Sequence, residues 1–233
     1  TKTKYLVMPN SKQDILNVLN YLNNNHIPYY VLGNGSNILL PDNDYNGAII
    51  KLNKLNKIEI KNNILKVEAG VLLPYLNQKL LNLGYVNFYW ASSIPGEVGG
   101  SIHGNAGAYK HDIFENLISI EIIQNNKIIT LNKEDIKYGY RYTNLNNCLI
   151  LSATFNLVKG DVNTIKEEMK LNLKKRMKTQ PLNELTAGSV FKNPDGYSAG
   201  KLIEDLGLKG KVIGGAKVSE KHANFIVNFN KAK

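Results

Sequence analysis

A single cysteine, a single tryptophan, three methionines and seven prolines are spread over 233 residues. One cysteine excludes an internal disulfide, and the apolar run Cys148-Leu-Ile-Leu-Ser-Ala-Thr-Phe155 gives that thiol the character of a buried structural group. No apolar run approaches the ~20 residues that span a bilayer, and Thr1-Lys-Thr-Lys begins no signal-peptide pattern. No membrane is therefore expected, and the cytoplasm is the default compartment. The histidines, at 26, 103, 111 and 222, show no metal-ligand spacing, so no metal is expected. Acidic residues are in deficit: 29 Lys and Arg against 19 Asp and Glu leave a net charge of +10, which attracts polyanions. The basic residues gather at Lys166, Lys170, Lys174, Lys175, Arg176 and Lys178, on one expected helix without an aromatic-studded recognition motif. A solvated helix face, or attraction for small phosphorylated ligands, explains them at least as well as nucleic acid does.

Glycine is abundant, and much of it falls in one stretch from Ala91 to Tyr109, at positions 96, 99, 100, 104 and 107. Such density disfavours a stable helix or strand, because glycine loses the most backbone entropy on ordering. It suits a nest of inward-turned N–H groups that cradles phosphate oxygens. Ile94, Val98, Ile102, Ala106, Ala108 and Tyr109 are interleaved with the glycines, which fits a buried ligand-cradling loop better than a solvated linker. Gly33-Asn-Gly-Ser-Asn37 is a second phosphate-loop candidate. It follows the apolar run Pro28–Leu32, read as a short buried strand, and precedes Ile38-Leu-Leu40 and Pro41. No helix fits there, so the reading is strand, glycine loop, strand.

Elsewhere the pattern gives a helix capped at Ser11 with Ile15, Val18, Leu19 and Leu22 on its apolar side, then strands at 47–52, 57–60 and 64–69, the last two joined across Asn62-Asn63. Leu73 to Leu83 is a helix that Gly84 can end. Residues 117–123 and 127–131 form a hairpin across Asn125-Asn126, and 149–158 completes a strand-rich half. Beyond Gly160, Thr164-Ile-Lys-Glu167 offers a cap for the basic helix, with Ile165, Met169 and Leu173 as a narrow apolar stripe. A capped helix from Ser198 to Gly207, with Leu202, Ile203 and Leu206 inward, and strands at 212–213 and 224–229 follow.

Two polar residues stand out. In Tyr138-Gly-Tyr-Arg-Tyr-Thr143 an extended chain would put the aromatics on one face and Gly139, Arg141 and Thr143 on the other. Arg141 would then have small neighbours and room to hold a carboxylate bidentately, although the pattern equally suits a surface arginine. In Thr186-Ala-Gly-Ser-Val-Phe-Lys-Asn-Pro194, Ser189 lies at the mouth of a strand; no nucleophile elbow is present, and local pattern alone favours a turn serine.

Six motifs in order, Val31–Leu40, Ser93–Gly100, Asn105–Tyr109, Tyr140–Thr143, Gly188–Pro194 and His222–Phe225, closely resemble the UDP-N-acetylenolpyruvoylglucosamine reductases. The resemblance implies an α+β fold: a two-lobed FAD-binding domain of the vanillyl-alcohol-oxidase (PCMH) type over 1–160, with lobes about 1–53 and 54–160, and a smaller α/β substrate-binding domain over 161–233. It implies noncovalent FAD, NADPH as cosubstrate, and reduction of UDP-N-acetylglucosamine enolpyruvate to UDP-N-acetylmuramate in peptidoglycan precursor synthesis. The partner would be a small nucleotide-sugar, with no nucleic acid or membrane, and a monomer is favoured.

Carried over by residue, Gly33, Asn34, Gly35, Ser36 and Asn37, with Ser92, Ser93, Pro95, Gly96, Gly99, Gly100, Asn105, Ala106, Gly107 and Ala108, would hold FAD. Ser189 would be the general acid and Arg141 the group that stabilises the enolate, while Tyr140, Lys192 and Asn193 would touch substrate. The segment between Arg141 and Ser189 has the form that lacks the family's tyrosine lid. Departures are Ser93 for glycine, Glu97 for threonine, Lys110 for glycine and Thr143 for serine. A carboxylate at Glu97 would repel a diphosphate unless it points away. The resemblance also implies family segments before Tyr5 and after Phe225, the latter carrying an active-site glutamate, so no residue here takes that role and weak reductase activity is expected. Phe225, Ile226 and Val227 are then expected to form an exposed apolar edge. Other readings are a different FAD oxidoreductase of the same fold and an inactive flavin- or polyanion-binding fragment.

Overall fold

The computed structural model describes residues 2–232. Two compact units divide the chain: Thr1–Gly35 with Asn43–Lys166, and Ser36–Asp42 with Glu167–Lys233. In the first, β1 (Thr3–Val7), α1 (Lys12–Asn24), β2 (Tyr29–Val31) and β3 (Tyr45–Ile50) give a parallel sheet in the order β1-β3-β2. The Ser11 hydroxyl accepts from the Asp14 N–H at 3.0 Å and so starts α1. Its Ile15, Leu19 and Leu22 join the core that holds Ala48 and Ile50 of β3. β2 is less deep than its apolar run suggests, since Tyr30 and Val31 are exposed. Ile38–Leu40 forms no strand, and Leu39 is 88 % exposed. Pro41 beside it has no N–H to give a ladder.

The second sheet begins with β4 (Ile58–Lys61) and β5 (Ile64–Glu68), after which come α2 (Leu73–Asn82), α3 (Val98–His103), β6 (Gly107–Ala108) and β7 (His111–Asp112). Then follow β8 (Leu117–Gln124), β9 (Lys127–Asn132), β10 (Tyr138–Gly139), β11 (Tyr142–Thr143) and β12 (Leu149–Asn156). Five antiparallel strands run β4-β5-β12-β8-β9. Both asparagine pairs make the expected tight hairpins, with φ of 51° and 60° at Asn62 and Asn63 and 50° and 58° at Asn125 and Asn126. One face of the sheet buries Leu65, Val67, Ile120, Ile122, Ala153 and Phe155 together with Leu73, Leu76 and Leu80 of α2. Each large side chain so buried contributes roughly 1.5–3 kcal/mol. Cys148 is half-buried, accepts from Gln124 at 3.6 Å, and burial pushes its thiol pKa up.

Glu121 of β8 links strands and helix. It accepts from Lys12 of α1 and Ser152 of β12, and Lys66 of β5 lies 3.4 Å away. Burial alone would raise its pKa, but these hydrogen bonds and charges prevail and bring it down from 4.5 to about 2. Because the folded value is depressed, the stabilisation is present above the unfolded pKa and is lost as pH falls from there through about 2. The side chain is 23 % exposed, so a full shift is discounted for screening to about 1–2 kcal/mol. Glu121→Gln is expected to lower urea stability by that amount at pH 7, with the gap narrowing from pH 4.5 to 2.5. A constant gap across that range would refute the ionic contribution.

α3 corrects the expectation that so much glycine prevents a helix. Val98-Gly-Gly-Ser-Ile-His103 is helical because close packing overrides propensity: a Cβ on Gly99 would come within 2.8 Å of the Ala69 Cβ. The Gly99 N–H donates to the Ala69 carbonyl at 2.9 Å.

α4 (Val162–Thr179) spans the division between the units and buries no residue, so Ile165, Met169 and Leu173 form no inward stripe. Its cap is Asp161, not Thr164: the Asp161 carboxylate accepts from the Asn163 N–H at 2.9 Å and the Thr164 hydroxyl at 2.6 Å. In the second unit α5 (Ala199–Asp205) starts at Ser198. It turns Ala199 and Gly200 inward; Leu202 and Leu206 are exposed. β13 (Val212–Ile213), β14 (Ala216–Val218) and β15 (Ile226–Asn228) form an antiparallel sheet. Phe225 and Val227 are buried, and only Ile226 of the expected apolar edge is exposed.

Candidate functional site

Within the first unit the start of the first glycine loop, Gly33–Gly35, is tied to the central one. The Asn34 side-chain amide donates to the Pro95 carbonyl at 2.7 Å, and Leu73 N–H donates to Gly96 at 2.9 Å while Val98 N–H donates to Val71 at 2.9 Å. Gly35, at φ +75°, and Gly100 both face open space: a Cβ on either meets nothing within 4 Å. Gly100 has ordinary helical backbone, so neither strain nor packing demands glycine there. A ligand approaching this backbone would meet no side chain there.

Arg141 is not in an extended strand. Tyr140 and Arg141 are the turn between β10 and β11, with φ of 53° at Arg141. The alternating-face reading of 138–143 is therefore corrected; a two-residue hairpin reverses the chain before alternation can develop. Arg141 is exposed, and its guanidinium donates to the carbonyls of Asn105 at 3.1 Å and Gly107 at 2.5 Å. Asn105 donates in turn to the Gly139 carbonyl at 2.8 Å, and the Thr143 hydroxyl donates to His103 at 2.7 Å. The hairpin is thus bolted to the central glycine loop. Asn105 is buried, and its Oδ1 receives no hydrogen bond among the described residues. Tyr140 lies beside the Arg141 guanidinium, 5.2 Å from ring centre to Cζ. His111, a structural or surface group by sequence, is hydrogen-bonded to the Tyr89 hydroxyl (2.8 Å) and to Glu115 (2.8 Å), which anchors β7 next to this loop.

Glu97 does not point away from the loops. It is 6 % exposed, and a Cβ on Gly33 would meet its Oε2 at 3.3 Å. It lines a pocket of about 510 Å³ with Asn34, Lys51 and Tyr75 among its other walls. Burial pushes the carboxyl pKa up, and the Lys51 charge offsets part of that rise.

In the second unit Ser189 is exposed and follows Gly188 at φ +89°; the expected strand after it is absent, and a single isolated bridge with Phe225 is followed by bends at Val190 and Phe191. Lys192 and Asn193 are exposed, and Asn193 Oδ1 accepts from the Ala199 N–H at 3.0 Å, holding the start of α5. Among the described residues no cluster of His, Cys, Asp and Glu could hold a metal ion, and no helix is long and apolar enough to cross a membrane.

Bare backbone at Gly35 and Gly100, an orphaned acceptor at Asn105 and a docked guanidinium are each features that an anionic, hydrogen-bonding ligand could use. Residues 3–131 match the FAD binding domain family, which makes the class a flavin-dependent oxidoreductase. Residues 180–233 match the UDP-N-acetylenolpyruvoylglucosamine reductase C-terminal domain. Curated reductases of that name are similar along nearly the whole chain. The protein from Clostridium novyi (strain NT) is 43% identical over 229 residues, 97% of this chain and 75% of its own length. That from Caldanaerobacter subterraneus subsp. tengcongensis is 40% identical over 230 residues, 97% of this chain and 76% of its own. The crystal structure of the Thermus caldophilus reductase (MurB) superposes with a TM-score of 0.86 at 30% identity, covering 98% of this chain and 82% of that one. The chain belongs to the UDP-N-acetylenolpyruvoylglucosamine reductase family.

These residues fit FAD: the glycine backbone suits its diphosphate, and Asn105 Oδ1 suits a donor such as the flavin imide. Glu97 then has a measurable effect. Its raised pKa keeps the neutral form to higher pH, and repulsion of an anion sets in only as pH rises through that value. FAD affinity is expected to fall with rising pH, whereas Glu97→Gln stays flat and binds about tenfold tighter at the alkaline end. Flavin fluorescence titrations over a pH series check this, and identical affinities for both proteins at every pH would refute it.

Proposed function

We propose that this chain reduces the enolpyruvyl group of UDP-N-acetylglucosamine enolpyruvate to the D-lactyl ether of UDP-N-acetylmuramate, with NADPH as reductant. Residues 1–160 hold FAD without a covalent bond, and 161–233 contribute the substrate-binding part. The observation that carries the reading is the Arg141 guanidinium docked on the Asn105 and Gly107 carbonyls, which fixes a cation at the loop read as flanking the flavin.

Gly33 to Asn37 and Pro95 to Ala108 would hold FAD, which when bound would supply the hydride chemistry linking NADPH to C3 of the enolpyruvyl group. Negative charge then develops at C2 and its carboxylate. Arg141 stabilises that charge, and its anchored fork is oriented before substrate arrives. The Ser189 hydroxyl donates the proton that C2 requires. Tyr140, Lys192 and Asn193 orient the nucleotide-sugar; since Asn193 Oδ1 already serves Ala199, substrate meets its Nδ2. The same reading has the protein act as a monomer in the cytoplasm, engaging neither nucleic acid nor membrane.

Absorbance at 340 nm tests the proposal: NADPH oxidation should require the enolpyruvyl nucleotide. Oxidation at the same rate without it, or a protein that takes up no FAD, would overturn the reading.

A further inference from the structure

Ser189 is exposed, so packing of its own side chain does not fix it. Val190 and Phe191, which follow it, are both exposed, so the packing of their side chains does little to fix the segment. Gly188, which precedes it, sits at φ +89° with nothing within 4 Å of a would-be Cβ. A hydroxyl on such a segment would wander unless polar contacts held the backbone. Those contacts converge on one residue.

Asn224 is 3 % exposed. Its Oδ1 accepts from the Phe191 N–H at 2.9 Å, and its Nδ2 donates to the Phe191 carbonyl at 2.8 Å. The side-chain amide thereby copies the two-way exchange that a neighbouring strand would make. Its backbone carbonyl also accepts from the Val190 N–H at 2.9 Å, and the next residue, Phe225, bridges Ser189 itself. On the other side, the Asn224 N–H donates to His222 Nδ1 at 3.2 Å, and the His222 ring packs on Phe225 at 4.7 Å between centres. Asn224 is thus held from behind while its amide and carbonyl grip the two residues after Ser189.

We infer that Asn224 is the positioning residue for Ser189, setting where the hydroxyl stands without touching substrate. This rests on the reading of Ser189 as the proton donor. Asparagine is required because only an amide offers one donor and one acceptor side by side. Aspartate has no donor for the Phe191 carbonyl, and serine is too short to serve both groups. Either change takes a hydrogen-bond partner from the Phe191 backbone and frees the segment. A displacement of about 1 Å at a reacting group can cost on the order of a hundredfold in rate.

The test uses the FAD-loaded protein with Asn224→Asp, Asn224→Ser, Ser189→Ala and the double variant Ser189→Ala/Asn224→Asp. Stopped-flow absorbance follows flavin reduction by NADPH and its reoxidation by the enolpyruvyl nucleotide separately. Asn224→Asp should slow reoxidation roughly ten- to a hundredfold and raise its solvent deuterium isotope effect, while flavin reduction stays within about twofold. In the Ser189→Ala background the same change should slow reoxidation by no more than about twofold further, because a residue that acts through Ser189 has nothing left to position. Equal slowing in both backgrounds would overturn the inference, as would equal slowing of both half-reactions in Asn224→Asp and Asn224→Ser. Wild-type reoxidation by Ser189→Ala alone would overturn the reading of Ser189, and this inference with it.

Discussion

Replacing Ser189 with alanine is expected to leave reduction of bound FAD by NADPH intact and to slow reoxidation by the enolpyruvyl nucleotide by about two to four orders of magnitude, the usual contribution of a positioned acid. The asymmetry follows from where the proton is needed. Hydride transfer from NADPH requires no proton at C2, so a missing hydroxyl is felt only in the second half-reaction. Ser189 is exposed, and alanine fits its site without loss of packing, so misfolding does not confuse the result. Stopped-flow traces separate the two steps. Equal slowing of both would assign Ser189 to holding the flavin.

Arg141→Ala is expected to slow the same half-reaction by about two to three orders of magnitude, the range seen when a group facing developing charge is removed. Unlike the serine change, it should also weaken FAD binding severalfold, because the guanidinium holds the carbonyls of Asn105 and Gly107. Arg141→Lys keeps the charge but not the planar fork, so it should recover only a small part of the rate. A lysine variant at the wild-type rate would mean that a point charge suffices and that the docked geometry is irrelevant.

What the sequence discloses about this fold depends on how far apart the interacting groups lie. The Ser11 cap and the asparagine hairpins at 62–63 and 125–126 are local chemistry, and each is found where its residues imply. The helix at Val98–His103 was hidden because its stability comes from Gly99 packing on Ala69, thirty positions earlier, against its own propensity. The turn at Tyr140-Arg141 was hidden for a related reason. An arginine at φ 53° is tolerated here with its guanidinium anchored at both Asn105 and Gly107, a side chain-to-backbone contact that leaves no periodic trace. Asn224 is the clearest instance, since one asparagine among many in this chain carries no mark of the two residues its amide holds. Leu202 of α5 and Leu206 at its end lie exposed: helical spacing of apolar residues predicts a face and says nothing of whether that face is covered.

The grouping of Ser36–Asp42 with residues 167–233 has a consequence for biosynthesis. On the ribosome the short segment emerges early, and roughly 190 further residues must be made before Lys233 follows it. At ordinary elongation rates that interval is about 10 to 40 s. Through it Ile38, Leu39 and Leu40 lack the residues with which they group. It also means that the C-terminal unit cannot be expressed whole as a contiguous fragment: a chain starting at Glu167 lacks seven of its residues, and a fusion that restores them by circular permutation is the form in which to study it alone.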